Sequence, residues 1–299
     1  MKKPLRSFKK PSKSTLLFVL AFIIGLSIFL YPIVMQIYSS MTQTRVIDTY
    51  QDSLDQLSQE EIDAYKNQIA EYNQNLSGSD IEQDYEDPFS DEPSNEVSAE
   101  GDRSSFNVFT ESLGDVLGNI EIPDIDGKFP IYSGTSDAVL QKGIGYMENT
   151  SFPLGGESTH SVLTGHRGLP TSELFTDLPD VELGSVFYIN VLDETLAYQV
   201  TEINTVLPYE TDLIAIQEGR DLVTLITCTP YMINTHRLLV MGERIPYTPE
   251  ETVAASVTPE PIPEETSSYT LPIVAASLAV ILGIAFLAYR RKSREENRK

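Results

Sequence analysis

Two long charge-free apolar stretches, residues 16–34 and 271–289, set the tightest limit on what this 299-residue chain can become. At about 1.5 Å of rise per residue, a helix of either length crosses the hydrocarbon of a bilayer. The first stretch outruns an ordinary signal-peptide core. Tyr31-Pro32-Ile33-Val34-Met35 also lacks a small-x-small cleavage site, which favours an uncleaved anchor. The second holds small residues from Ala275 to Gly283 and stops at Arg290-Arg291-Lys292. Its Pro272 falls in a first helical turn, where proline is tolerated. Lys2, Lys3, Arg6, Lys9, Lys10 and Lys13 precede the first stretch, and Arg290, Arg291, Lys292, Arg294, Arg298 and Lys299 follow the second. Positive-inside reasoning puts both termini in the cytoplasm and residues 39–270 outside the cell.

The chain holds 21 Lys+Arg against 44 Asp+Glu. Because the bases cluster in the two tails, the section between them is far more acidic than the total suggests. Such a surface repels phosphate backbones, so a nucleic-acid partner is not expected. Cys228 is the single cysteine, which rules out an intramolecular disulfide and leaves an exported chain one thiol that oxidation cannot scramble. The three histidines, His160, His166 and His236, lack metal-ligand spacing, and the acidic loop has no EF-hand pattern. No glycine-rich phosphate cradle is present either, so neither a metal nor a cofactor is expected.

Between the apolar stretches the chain changes material several times. Over 42–76, apolar positions at Val46, Tyr50, Leu54, Leu57, Tyr65, Ile69, Tyr72 and Leu76 recur at helical spacing. Ser58-Gln59-Glu60-Glu61 has the form of a capping box and predicts a break there, giving an amphipathic helix or helix pair. Residues 77–105 are rich in Gly, Ser, Asp and Glu without periodicity and read as a flexible loop, within which stands Asp87-Pro88-Phe89. Residues 106–247 carry short strand patterns at 118–122, 129–132, 143–146, 161–165, 186–191, 196–206, 222–228 and 237–242, with short helices at 136–141 and 172–178. Many short strands with little helix predict a mainly β fold, closed or nearly closed as a barrel. A Pro-rich acidic tether fills 248–270. The expected organisation is a basic tail (1–15), a span (16–38), a helical region (39–76), an acidic loop (77–105), a β domain (106–247), a linker (248–270), a second span (271–289) and a second basic tail (290–299).

The densest chemistry lies in residues 222–241, where Cys228 ends one strand and Arg237 opens the next. Antiparallel pairing of the two brings thiol and guanidinium to one end of the sheet, and a thiol beside a fixed positive charge ionises more readily. His166 stands just past an earlier strand in Leu163-Thr164-Gly165-His166-Arg167-Gly168. His160 falls at that strand's other end, and alternation turns His236 to the face opposite Arg237. Thr224-Leu225-Ile226-Thr227-Cys228 together with Thr164-Gly165-His166 resembles the signature of the sortases, cysteine transpeptidases of bacterial cell surfaces. The continuation from Thr229 to Val240 is similar to the pilus-assembling subfamily, class C.

The resemblance implies an eight-stranded barrel and a mechanism. Cys228 would attack a Leu-Pro-x-Thr-Gly-like sorting signal between Thr and Gly to give a thioacyl enzyme. His166 would shuttle the proton, and Arg237 would stabilise the oxyanion or orient the peptide carbonyls. Thr227 would belong to the substrate pocket. The acyl group would pass to a lysine of a pilin or surface protein at a Gram-positive-type cell surface. The resemblance also makes 77–105 a lid, with Asp87 pairing with Arg237, Phe89 covering Cys228 and Pro88 stiffening the turn between them.

Other readings of the residues are a housekeeping sortase that attaches proteins to the cell wall, a papain-like peptidase, and a non-enzymatic surface scaffold held at both ends. A papain-like nucleophile begins a helix, whereas Cys228 ends a strand; a scaffold would leave Cys228 buried and inert.

Overall fold

The computed structural model describes residues 13–78, 87–89 and 113–247. The chain divides into two compact units, Met1–Tyr247 and Thr248–Lys299, and every described residue belongs to the first. The expected linker, second span, C-terminal tail and all of the lid segment except its end at 77–78 and 87–89 lie outside the described residues.

Helix α1 runs from Lys13 to Leu54 as one element, with Pro32 inside it. The expected boundary between a span and a separate helical region is therefore not a break in the chain. From Leu17 to Met41 its large apolar side chains are exposed on every side, a surface that suits lipid rather than water. Length and composition make Leu17–Leu54 a candidate membrane helix. Further along, Gln43, Ile47, Tyr50 and Leu54 are buried against the β domain. Tyr50 fixes the contact twice, its hydroxyl donating to the Leu117 carbonyl and accepting from the Leu192 N–H, both at 3.0 Å.

The break comes where the capping box predicts it. Helix α2 covers Gln59–Ser77, with the Ser58 hydroxyl capping Glu61 N–H while the Glu61 carboxylate reaches back to Ser58 N–H. That reciprocal pair holds the Glu61 carboxyl below its ordinary range. Buried Asn73 then staples α2 to the barrel, its amide donating to Phe152 O (3.1 Å) and accepting from Phe152 N–H (2.7 Å). Lys66 meets Asp193 and Glu194 at 2.6 and 2.7 Å.

Eight strands close a barrel: β1 (Val116–Ile122), β2 (Gly127–Ser133), β3 (Ile144–Tyr146), β4 (Thr159–Thr164), β5 (Val186–Val191), β6 (Glu194–Val206), β7 (Asp221–Thr229) and β8 (His236–Ile245). Their order around the barrel is β1-β2-β3-β4-β7-β8-β6-β5, with β5 returning to β1. Only β2–β3 and β4–β7 pair parallel. Helix α3 (Asp137–Leu140) occupies the first expected short-helix position. The second, 172–178, is not a helix. Leu174 sits at a left-handed φ of +40°, which interrupts helical geometry while both it and Phe175 become fully buried. Only a 3₁₀ turn, Leu178–Asp180, follows.

Side-chain alternation divides the buried residues between two cores. Ile120, Ile131, Leu163, Val223, Leu225 and Val240 fill the barrel interior. Val162, Ile226 and Leu239 point the other way and pack with Met147 and Ile214 in a second, smaller cluster. That second cluster floors a groove lined also by Asp87 and Arg237.

Candidate active site

Cys228 and Arg237 are direct partners in the β7–β8 ladder, and the next pair along the same face is Ile226 with Leu239. Both residues are buried, at 5% and 7% exposure. Strand pairing alone therefore sets thiol and guanidinium side by side. Backbone bonds then fasten the histidine loop to the same place. Beyond the β4–β7 pair Thr164↔Ile226, Gly165 N–H donates to Ile226 O at 3.0 Å. The Thr227 hydroxyl donates to Gly165 O at 2.7 Å. Carried two residues past that last pair, the register sets His166 level with Cys228.

Gly165 is required for this close approach. A Cβ there would lie 2.7 Å from atoms of both Ile144 and Phe175, well inside contact distance. Thr227 itself, expected to line the substrate pocket, turns the other way. Alternation sends its side chain opposite to that of Cys228, and its fully buried hydroxyl is used on Gly165.

Asp87, Pro88 and Phe89 sit on the groove. The Arg237 guanidinium donates from Nε to Asp87 Oδ1 at 2.7 Å and from Nη2 to Oδ2 at 2.5 Å, a bidentate pair with little solvent access. Its Nη1 donates to the carbonyls of Asn234 and His236, each at 3.0 Å. The Phe89 ring lies 5.2 Å from the Arg237 guanidinium carbon and 5.4 Å from the His166 ring. It also packs on the Ile226–Leu239 cluster. One aromatic ring thus touches the cation, the imidazole and the groove floor. The groove continues past Asp87 and Pro88 between Val206, Leu207, Ile214 and Leu239.

Electrostatics follow from this covered state. Burial pushes the Cys228 thiol pKa up; Arg237 draws it down and Asp87 pushes it up again. Burial holds the His166 imidazole pKa below its usual value, with Asp137 opposing. Both groups are thereby biased to their neutral forms. The other two histidines stay apart from the cysteine. His160 is fully buried in β4, between Ala215 O at 2.9 Å and Thr224 Oγ1 at 2.8 Å. His236 pairs across the ladder with Thr229 and contacts the Thr235 hydroxyl at 2.9 Å. Among the described residues no group of acidic, histidine and cysteine side chains has the makings of a metal site.

Arg167 escaped the sequence reading although it adjoins His166. Its Nη1 donates to Thr229 Oγ1 (3.2 Å), its Nε donates to Thr176 O (3.1 Å), and its guanidinium carbon stands 5.6 Å from the Tyr231 ring centre. It links the histidine loop to the end of the cysteine strand. The sequence signal was a charged residue beside glycine at a strand exit, which by itself marks only a loop. Its partners are 9, 62 and 64 positions away.

A sortase domain profile matches residues 120–245. The chain is similar in structure to sortase C of Streptococcus pneumoniae, with 43% identity, 68% of this chain and 98% of that one covered, and a TM-score of 0.59. Sortase C1 of Streptococcus agalactiae matches at 38% identity over 68% of this chain and 97% of its own, with a TM-score of 0.60. Sortase A of Streptococcus agalactiae serotype III is 31% identical over 131 residues, 43% of this chain, and the match spans 52% of that relative, about half its length. The barrel, the paired Cys228 and Arg237, and near-complete coverage of the pneumococcal enzyme's chain agree: this chain belongs to the sortases, cysteine transpeptidases, in their class C.

Proposed function

We propose that the protein is a membrane-anchored pilin transpeptidase, and that Cys228, His166 and Arg237 carry the reaction. The observation that carries this reading is the Cys228↔Arg237 pair with the His166 loop tied to the same strand end. A thiolate, a proton carrier and a fixed cation are the three groups acyl transfer through a thioester needs. The pneumococcal relative's structure bears on pilin substrate specificity, which supports pilins as the substrate class.

Cys228 first passes its thiol proton to the neutral His166 imidazole. The resulting thiolate adds to the threonyl carbonyl of a Leu-Pro-x-Thr-Gly-like signal, forming the C–S bond and placing negative charge on oxygen. Arg237 meets that charge with N–H donors and remains protonated at every working pH. As the C–N bond breaks, the His166 imidazolium gives its proton to the departing glycine amine. A pilin lysine amine then attacks the thioester, His166 takes up the proton, and the C–S bond breaks to free the thiolate and leave an isopeptide. Because both partners are held at one membrane, the amine reaches the thioester at high effective concentration and outcompetes water. The finer topology, two spans with both termini cytoplasmic and the catalytic domain outside, belongs to the same proposal, as do the domain limits at 77–105 and 106–247.

The covered groove is the resting state. Asp87 occupies the donors that the oxyanion requires and Phe89 fills the space beside His166, so substrate enters only when the lid leaves. Incubating the full chain with candidate pilins and analysing covalent adducts by mass spectrometry tests the reading. Pilin–pilin isopeptides are expected, with a thioester to Cys228 trapped on the way. Cys228→Ala should abolish both while leaving the circular dichroism spectrum unchanged; isopeptides formed by that variant would refute the proposal.

A further inference from the structure

The end of the barrel that holds Cys228 also carries an exposed apolar surface. The pairings make β1, β4, β6 and β7 run in one direction, so all four finish at that end. In the β7–β8 turn, Tyr231, Met232 and Ile233 are 50%, 73% and 65% exposed. Residues 230–235, Pro-Tyr-Met-Ile-Asn-Thr, contain no charge in a strongly acidic chain. Tyr209 and Leu183, 76% and 66% exposed, stand in loops flanking β6 and β5 at the same end.

The tip is braced. Ile233 and Asn234 N–H both donate to Pro230 O at 3.0 Å, Met232 and Asn234 take left-handed φ of +64° and +60°, and Arg237 holds Asn234 O. The Tyr231 ring packs against Gly168, where a Cβ would lie 2.7 Å from it. This is a projecting apolar knob built into the fold.

Helix α1 meets the same end. Ser39 Oγ donates to Ser172 Oγ at 2.9 Å, and Gln43 Nε2 donates to Ser172 Oγ at 3.2 Å and Lys142 O at 3.3 Å. Ser172 belongs to the loop that follows β4 and carries His166, and Lys142 lies two residues before β3, whose start lies beside the end of β4. Tyr50, three turns further along α1, reaches Leu117 and Leu192 toward the opposite end. On the N-terminal side of Ser39 the helix is apolar and exposed all round. The helix therefore leaves the barrel at its cysteine end and enters the bilayer there.

We propose that Tyr231, Met232 and Ile233 dip into the interface of the bilayer that α1 crosses, forming a second membrane contact beside the active site. Tyrosine with neighbouring aliphatic side chains suits the headgroup boundary, where an apolar body and a polar tip are both accommodated. The alternative occupant is a docking protein. The bilayer is favoured because α1 brings it to this end whether or not a partner is bound. The inference rests on α1 as the anchor.

The test uses the full chain in vesicles of phosphatidylcholine and phosphatidylglycerol. Cys228→Ala removes the only native thiol, so an environment-sensitive fluorophore placed on Met232→Cys, Ile233→Cys, Gln56→Cys or Ile28→Cys reports one position at a time. Lipids doxyl-labelled near the headgroup should quench positions 232 and 233 several-fold more than position 56, at the far turn. Mid-chain doxyl lipids should quench position 28. Position 28 quenched with 232 and 233 no more quenched than 56 would overturn the inference, leave the anchor standing and give the knob to a protein. If position 28 also escaped quenching, the anchor and the inference would fall together.

Discussion

Arg237 has one guanidinium for the lid contact that the structure shows and for the oxyanion role proposed above. With Asp87 bound to two donors, only a substituent with the same planar fork can serve both lid and oxyanion. Arg237→Lys keeps the charge and loses the fork. Turnover should fall by about a hundredfold, the size typical of removing an oxyanion donor, measured as the rate of thioester formation. The thiol gives a second check. Burial raises the Cys228 pKa, and Asp87 raises it further against Arg237. Alkylation of the resting protein should therefore accelerate with pH through an inflection above that of an ordinary thiol, and Asp87→Asn should move the inflection down. An inflection that Asp87→Asn leaves in place would show that the carboxylate does not act on the sulfur. His160 makes a stability prediction. Burial lowers its pKa to about 4, below the unfolded value near 6.5. As pH falls below about 6.5 the unfolded chain takes up the proton first, so stability is lost down to about pH 4, by roughly 3 kcal/mol. Unfolding free energies from denaturant titrations at pH 7 and pH 4.5 should differ by about 2 kcal/mol less in His160→Gln.

At the scale of elements, two short segments contact the residues proposed to carry the reaction. The lid is held by a bidentate charge-assisted pair and by a ring shared between Arg237 and His166. Charge-assisted bonds of this kind contribute about 1.5–3 kcal/mol each. Replacing Asp87 and Phe89 together with Ala should therefore raise the open population and speed alkylation of Cys228 by at least about tenfold. An unchanged labelling rate would remove the lid from the account. The Arg167 link acts between elements, tying the histidine loop to Thr229 and Tyr231. Arg167→Ala should lower kcat by about tenfold, close to 1.4 kcal/mol, with KM little changed, and Arg167→Lys should recover part of it. A loss confined to thermal stability would make Arg167 structural only. The elements also show where local patterns are reliable. Ser58 and Glu61 announce the start of α2 because the cap is made by residues three apart. The expected helix over 172–178 fails because burying Leu174 and Phe175 outweighs local propensity.

For the whole molecule, the sequence by itself determined what depends on neighbours along the chain. The apolar stretch of α1, the break at Ser58, the strand periodicities of a mainly β domain and the thiol at a strand exit are all local signals. The cysteine signature also carried the family, because a nucleophile, its flanking threonines and the following arginine fall in one stretch of 20 residues. The tertiary structure alone decided which distant groups meet. Parallel pairing of β4 with β7 brings His166 level with Cys228 across 62 positions, and Asp87 reaches Arg237 across 150. Periodicity distinguishes one face of a strand from the other but not which face becomes the interior. Closure of the barrel is what turns the Thr227 hydroxyl onto Gly165. The unbroken passage of α1 from its apolar length onto the barrel wall was hidden for the same reason. A change from apolar to amphipathic composition looks like a boundary, whereas backbone hydrogen bonding continues through it and only packing shows where the helix leaves the barrel.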